Sequence, residues 1–347
     1  MLRLPTFELH KPTTVAGALE VAAASGPATR FIAGGTDLLP NLKHEMIEAE
    51  HVISLAGLDE LRGIRLDGGG GGDLVIGPMT TLAEVATSEL VQRHAPALAQ
   101  AAGLVAGPQH RNQGTLGGNV MLDTRCQWIN QSYFWRSALG FCLKKDGTMC
   151  HVIEGGKRCV AAVSNDTIAP LQTLGAALTF QSLASAEQVE AGAPEGLQTK
   201  SVPVNELFKA DGAYNKKVGL QELLTEVRIP AQAPGHRGSY QKLRLRGSID
   251  FPQLGVAARI DLGDDGTISD VMIVAIVVAA RPVLVKKAPG LLTGLTPDTP
   301  EFDEALTELV DLATRSVKPL PNIPGDTEWR QRMVPVLVED AVRGCLG

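Results

Sequence analysis

The sequence has no excess of basic residues and no long hydrophobic run. Its 347 residues include 32 Lys and Arg against 38 Asp and Glu, which gives a net charge of −6. Nucleic-acid binding favours a basic surface, so this composition gives it no support. The longest apolar run, at residues 271–280, is far too short to span a bilayer and predicts a buried central strand.

Cysteine is also scarce, since the chain has only five. The N-terminal residues lack the apolar core of a signal peptide, so we expect a cytoplasmic protein. Thiols stay reduced in that compartment, and clustered cysteines there are more often metal ligands than disulfides. Cys345 stands alone, whereas the other four form the pattern C-x15-C-x7-C-x8-C. These four are Cys126, Cys142, Cys150 and Cys159.

The spacing of these four cysteines leaves the kind of site open. Zinc sites usually contain C-x2–4-C pairs, and none occurs here, although His151 could replace one cysteine as a ligand. Iron–sulfur clusters are held by four thiolates, but the common ferredoxin spacings are also tighter. Buried small side chains without any metal are the third interpretation.

The order of hydrophobic patterns predicts an α+β protein in three parts. Residues 1–58 resemble a strand–helix–strand–helix–strand unit, and residues 59–230 form a second unit. A Pro/Gly-rich boundary near residue 230 precedes an α+β C-terminal domain, residues 235–347. The glycine run at 68–72 lies between two strand-like stretches, which favours a hairpin over a phosphate loop.

Two other glycine segments are candidates for cofactor binding. Residues 31–39 read FIAGGTDLL, a strand that ends at two glycines before a helix begins. Unshielded amides beside a helix start suit a pyrophosphate, although a plain turn has the same pattern. Residues 114–119 read GTLGGN in an irregular stretch. Neither matches a dinucleotide-fold or P-loop motif, and together they predict a cofactor held between two domains.

The two segments, AGGTDLLPNLK and GTLGGN, resemble the FAD-binding segments of the molybdenum hydroxylase flavoproteins. This family includes carbon monoxide dehydrogenase medium subunits and the flavin domain of xanthine dehydrogenase. The resemblance implies that the chain has a two-part FAD-binding domain followed by a C-terminal domain. Its implied FAD contacts are Ile32, Ala33, Gly34, Gly35, Thr36, Asp37 and Leu38 along the pyrophosphate, Thr115, Leu116, Gly117, Gly118 and Asn119 as a second wall, and Val105, Asp166 and Lys242 near the flavin.

All four clustered cysteines fall among the 46 residues between Asn119 and Asp166. This stretch looks like an insertion into the flavin domain, at about residues 122–162. It resembles the insertion in flavin subunits of the 4-hydroxybenzoyl-CoA reductase group, which hold a [4Fe–4S] cluster beside FAD. The resemblance implies that Cys126, Cys142, Cys150 and Cys159 ligate such a cluster.

The resemblance also implies partners. A large molybdopterin subunit would contain the substrate site and a small subunit would carry [2Fe–2S] clusters, in a dimer of heterotrimers. Ferredoxin would donate the electrons for reductive dehydroxylation to benzoyl-CoA, so no catalytic residue is expected in this chain. Three alternatives remain: a hydroxylase subunit that passes electrons outward, a zinc-stapled FAD-binding interaction subunit, and a peptidoglycan-precursor reductase or oxidase that acts alone.

Overall fold

The computed structural model describes residues 2–69, 71–184 and 196–347, which form three sheets. The first sheet has the order β1-β3-β2, and all its strands are parallel. Thr13 and Thr14 are residues typical of a helix N-cap, and the side chain of Thr14 caps the first helix by accepting a hydrogen bond from the amide of Gly17. The elements are β1 (Glu8–His10), α1 (Val15–Ser25), β2 (Thr29–Ile32), α2 (Leu38–Lys43) and β3 (His51–Ser54).

The second sheet is antiparallel, in the order β4-β5-β8-β6-β7. Its first two strands form the hairpin predicted around the glycine run. The polar composition of residues 186–200 predicts a surface loop, but residues from 197 onward form an edge strand of this sheet. Residues 185–195 lie outside the described residues. The strands are β4 (Ile64–Asp67), β5 (Asp73–Ile76), β6 (Ala177–Leu183), β7 (Leu197–Pro203) and β8 (Leu223–Ile229).

Short helices connect the strands of the second sheet. We expected residues 107–119 to be irregular, but they form two helices. Pro108 lies in the first turn of one helix, and the hydroxyl of Thr115 caps the other. The helices are α3 (Leu82–Thr87), α4 (Glu89–His94), α5 (Pro96–Leu104), α6 (Pro108–Gln113), α7 (Leu116–Val120), α8 (Tyr133–Ala138) and α9 (Ile168–Thr173).

The third sheet is antiparallel, in the order β12-β11-β10-β9, and two long helices cover it. The apolar run at 271–280 supplies a buried strand as predicted, but its last four residues lie beyond the strand end. The final helix contains Pro335 and is not apparent from the sequence. The elements are β9 (His236–Leu243), β10 (Leu254–Leu262), β11 (Ile268–Ile276), β12 (Val283–Leu284), α10 (Ala288–Leu292), α11 (Pro300–Ser316) and α12 (Thr327–Leu346).

In the described part of the chain, no helix has both the length and the apolar character needed to cross a bilayer.

Candidate functional site

The two glycine segments face a cavity of about 740 Å³. Residues from all three parts of the chain line it, including the loop after β9 and the loop before β8. A volume of this size lies within the range of small-molecule and cofactor sites. The fold therefore brings together two glycine segments that are separated by more than 70 residues in the sequence.

The first glycine segment presents unpaired amides to this cavity. Gly35 adopts a left-handed conformation with φ of 73°, which favours glycine. In the described part of the chain, the backbone amides of residues 34–37 donate to no protein acceptor. The helical hydrogen bonds begin with the amide of Leu39, which donates to Gly35 O at 3.2 Å. Consecutive free amides of this kind suit an anionic group such as a pyrophosphate.

The second glycine segment contributes a surface rather than free donors. The amide of Gly117 donates to Pro78 O at 2.8 Å, and the amide of Gly118 donates to Thr115 Oγ1 at 3.1 Å. Gly118 is exposed to the cavity, and a Cβ there would lie 3.9 Å from the Cβ of Ala33. The absence of a side chain at Gly118 keeps open the space between the two segments.

Twelve of the fifteen predicted cofactor-contact residues line the cavity. Ile32 instead packs in a small core beside β3, and Leu116, the first residue of α7, is fully buried in an apolar core. Lys242 lies behind Asp166 with only 1% of its side chain exposed. The twelve are Ala33, Gly34, Gly35, Thr36, Asp37, Leu38, Val105, Thr115, Gly117, Gly118, Asn119 and Asp166.

Asp166 and Lys242 form a buried ion pair at the wall of the cavity. Lys242 Nζ lies 3.1 Å from Asp166 Oδ1 and donates to Leu104 O at 2.8 Å. Tyr240 donates its hydroxyl to Asp166 Oδ1 at 2.8 Å. Burial raises the pKa of Asp166, although Lys242 and Tyr240 oppose this shift. The carboxylate thus anchors β9 to the loop before α9.

Sequence reasoning missed two cations that line the cavity. Arg125 pairs with Asp37 and lies 4.6 Å from the ring centroid of Phe251, and burial lowers the pKa of Arg125 to about 10. Lys216 donates to Leu122 O at 2.8 Å, and burial lowers its pKa to about 8. Neither cation belongs to a periodic pattern or a motif, so only the folded chain reveals their positions.

The four clustered cysteines surround a second, smaller cavity. All four line a space of about 20 Å³, and all are free thiols. Burial, with smaller contributions from the other three cysteines, raises the pKa of Cys126 to about 11. The stretch 122–162, hereafter the cysteine segment, therefore brings its four sulfurs to one place.

The geometry of the sulfurs separates two kinds of metal site. Tetrahedral zinc with Zn–S bonds of about 2.3 Å places its sulfurs about 3.8 Å apart. In the described part of the chain, no three cysteine sulfurs lie within 4.8 Å of one another. The arrangement is therefore wider than a single zinc ion requires.

Hydrogen-bond donors accompany the cysteine sulfurs. The amide of Ala161 donates to Cys159 Sγ at 3.4 Å, and the backbone of Trp128 opposes the rise in the pKa of Cys126. The indole Nε1 of Trp128 is buried beside the same cavity and has no acceptor within the described chain. Donors near sulfur are characteristic of iron–sulfur sites, where they tune the reduction potential.

The cysteine cavity and the larger cavity share a wall. Arg125 lines the larger cavity, and the next residue, Cys126, lines the smaller one. Lys144 lines the cysteine cavity, whereas Lys145 lines the larger one. Ala213 packs against the buried cysteines and also lines the larger cavity. The two sites are therefore neighbours.

Comparison with known proteins gives a consistent family. Residues 5–232 match the model of the FAD binding domain in molybdopterin dehydrogenase, and residues 238–344 match the CO dehydrogenase flavoprotein C-terminal domain. The carbon monoxide dehydrogenase medium chain of Afipia carboxidovorans is 28% identical, with 97% of this chain and 96% of that protein covered.

A further relative and a solved structure belong to the same family. The xanthine dehydrogenase FAD-binding subunit of Escherichia coli O157:H7 is 30% identical over 88% of this chain and 86% of that protein. A solved carbon monoxide dehydrogenase structure from Hydrogenophaga pseudoflava has a TM-score of 0.75 and 26% identity, covering 99% of this chain and 98% of that chain. The chain therefore belongs to the family of FAD-binding subunits of molybdenum hydroxylases, which are oxidoreductases.

Proposed function

We propose that the chain is the FAD- and [4Fe–4S]-binding electron-transfer subunit of a molybdenum-containing reductase that resembles 4-hydroxybenzoyl-CoA reductase. The observation that carries this proposal is the cavity lined by Cys126, Cys142, Cys150 and Cys159, which shares a wall with the flavin cavity. When bound, the flavin would supply two-electron chemistry and the cluster would supply one-electron transfer.

The FAD would lie between residues 1–58 and residues 59–230. The free amides of residues 34–37 would hold its pyrophosphate, and Gly118 would form the opposite wall. Arg125 keeps Asp37 paired, so the carboxylate does not repel the phosphates as an isolated charge would. Val105 would lie near the flavin ring, where it offers an aliphatic contact rather than stacking.

The cysteine cavity favours a cluster over zinc. Its sulfurs are spaced more widely than one zinc ion needs, and Trp128 leaves a buried N–H donor without an acceptor. The bridging sulfides of a cluster would supply an acceptor for this N–H, whereas a closed zinc site offers none. The cluster would also stabilise a segment with little apolar core.

The complex would include a large molybdopterin subunit and a small [2Fe–2S] subunit, in a dimer of heterotrimers, with ferredoxin as electron donor. The relatives named above are dehydrogenases, and this observation favours a second candidate in which the subunit passes electrons outward from an aromatic or heterocyclic substrate. Both candidates place the organic substrate in the partner subunit.

Composition and donor specificity test this proposal on the native complex. We expect about four iron and four acid-labile sulfide per chain beyond those of the [2Fe–2S] subunit, together with one FAD. Reduced ferredoxin should support turnover of 4-hydroxybenzoyl-CoA. Zinc in place of iron would overturn the cluster, and turnover only with an electron acceptor would establish the outward direction instead.

The FAD position has its own test. Gly118→Leu should abolish flavin binding, because its side chain would project into the space between Gly118 and Ala33. Gly290→Leu is the matched control, since a Cβ there meets nothing within 4 Å. Flavin content by absorbance after gel filtration is the measurement. Full occupancy in Gly118→Leu would show that the cofactor lies elsewhere.

A further inference from the structure

Two histidines and a glutamate meet at the edge of the first sheet, outside both cavities described above. Glu8, His10 and His51 each offer one ligand atom, and these atoms lie within 4.8 Å of one another. Among the described residues, this is the one group of three or more His, Cys, Asp or Glu side chains with such spacing. None of the three lines the flavin cavity or the cysteine cavity.

The strand pairing explains why these residues meet. In the parallel ladder between β1 and β3, Glu8 is the register partner of His51. His10 lies two residues after Glu8 on β1, and side chains two apart on a strand point to the same face. The ladder therefore holds one carboxylate and two imidazoles on one face, although His10 and His51 are 41 residues apart in the chain.

The distances match those of a tetrahedral metal site. His10 Nε2 lies 3.1 Å from His51 Nδ1, and Glu8 oxygens lie 3.8 Å from His10 Nε2 and 3.6 Å from His51 Nδ1. Zinc with bonds of about 2.0–2.1 Å to nitrogen and oxygen requires ligand atoms about 3.3 Å apart. The two Glu8 distances involve different carboxylate oxygens, and rotation of the exposed Glu8 side chain would bring one oxygen and both imidazole nitrogens to one ion.

We propose that Glu8, His10 and His51 bind a divalent transition-metal ion, with Zn²⁺ as the expected ion and water as the fourth ligand. Two imidazoles and a carboxylate are a common ligand set of zinc. The histidines are partly buried, with 21% and 27% of their side chains exposed, whereas Glu8 is 66% exposed. The site is thus open to solvent on the glutamate side, and the ion would join the three-residue strand β1 to β3.

Zinc binding to the full chain tests the proposal. The wild type, His10→Gln, His51→Gln and the control His94→Gln are dialysed anaerobically against micromolar Zn²⁺, and zinc, iron and FAD are measured in each. The wild type and His94→Gln should hold one more zinc per chain than the other two variants. Since any zinc at the cysteines is common to all four proteins, the difference reports this site alone.

The variant Glu8→Gln distinguishes the loss of a metal ligand from misfolding of the protein. Glu8→Gln should keep FAD and circular dichroism unchanged but weaken zinc binding at least tenfold in a calorimetric titration. Zinc should also raise the melting temperature of the wild type but not of His51→Gln. Equal zinc content in all four proteins, or an unchanged affinity in Glu8→Gln, would overturn the proposal.

Discussion

The cysteine segment and the C-terminal region, residues 235–347, are held in place by different forces. In the C-terminal region, β10 and β11 are almost wholly buried, and α11 and α12 cover them with a continuous apolar core. In the cysteine segment, the only described helix is the six-residue α8, and Phe134 on it is 81% exposed.

The cysteine segment buries much less apolar surface than the C-terminal region. The buried side chains of the cysteine segment are chiefly Cys126, Ile129, Cys159 and Ala161. Two of these four are cysteines, so their burial positions ligands as well as removing apolar surface from water. Under the proposed function, metal–ligand bonds would order this segment, whereas hydrophobic burial alone orders the C-terminal region.

The largest effect expected from this comparison follows loss of one metal ligand. Cys142→Ser should remove the cluster and make residues 126–159 susceptible to proteolysis, while FAD remains because the glycine segments lie outside the cysteine segment. Iron content, flavin content and limited proteolysis on one preparation measure this outcome. Cys345→Ala, which alters a buried cysteine of the C-terminal region, should keep its iron. If Cys142→Ser kept its iron content and its resistance to proteolysis, metal binding would not be what distinguishes the stability of the cysteine segment from that of the C-terminal region.

A core truncation tests the other side of the comparison. Phe302 is fully buried on α11, so Phe302→Ala should lower the free energy of unfolding by about 3–5 kcal/mol. Phe134→Ala in the cysteine segment should change it by less than about 0.5 kcal/mol, because that ring is already solvated. Urea denaturation of both variants gives the values. A cost at Phe134 similar to that at Phe302 would mean that the cysteine segment has an apolar core of its own, or that a partner covers it.

Two buried arginines provide a finer test. Arg330 donates from three nitrogens to the carbonyls of Gln253, Leu320 and Val277, at 2.9, 2.7 and 2.6 Å. Arg136 in the cysteine segment donates only from Nη2, and its Nε and Nη1 are buried without an acceptor. Arg330→Met should cost about 3 kcal/mol, since each unpaired buried carbonyl costs about 1 kcal/mol or more.

Arg136→Met should cost less than half as much, because the methionine also removes two nitrogens whose N–H groups have no acceptor in the described chain. Urea denaturation at pH 7 measures both variants, and equal costs would show that Arg136 has acceptors outside this chain.

The smallest expected effect concerns Trp128. Removing its indole N–H in Trp128→Phe should leave iron content unchanged but shift the cluster potential to a more negative value, because donors near sulfur stabilise the reduced state. Trp135→Phe is the control, since Trp135 packs on Trp128 but does not line the cysteine cavity. Redox titration followed by electron paramagnetic resonance gives both potentials. An identical potential in Trp128→Phe and the wild type would show that the indole does not contact the cluster.

Local chemistry made part of the fold predictable. Thr14 is a good cap because its hydroxyl can accept a bond from the helix amides, and the β4–β5 hairpin follows from glycines between two apolar stretches. The final helix was missed because Pro335 interrupts a pattern that is otherwise helical. Its proline is tolerated because burial of neighbours such as Val334 and Val338 outweighs the lost hydrogen bond.

The candidate site was predictable only where backbone chemistry required a particular residue. Gly35 needs a positive φ, and Gly34 has no room for a Cβ because Gln113 O would lie 1.9 Å from it. Glycine marks such positions in the sequence itself. Arg125 and Lys216 are ordinary cations until the fold buries them, so no local signal distinguishes them from surface residues.

By itself, the sequence determined which chemical groups are present: two glycine segments able to approach a cofactor, and four cysteines in one stretch of 34 residues. The tertiary structure alone decided what these groups face. It joined the glycine segments around one cavity, directed the four sulfurs at another, and paired Glu8 and His10 with His51. The physical reason is that covalent neighbours are set by the chain, whereas long-range contacts depend on strand register and helix packing.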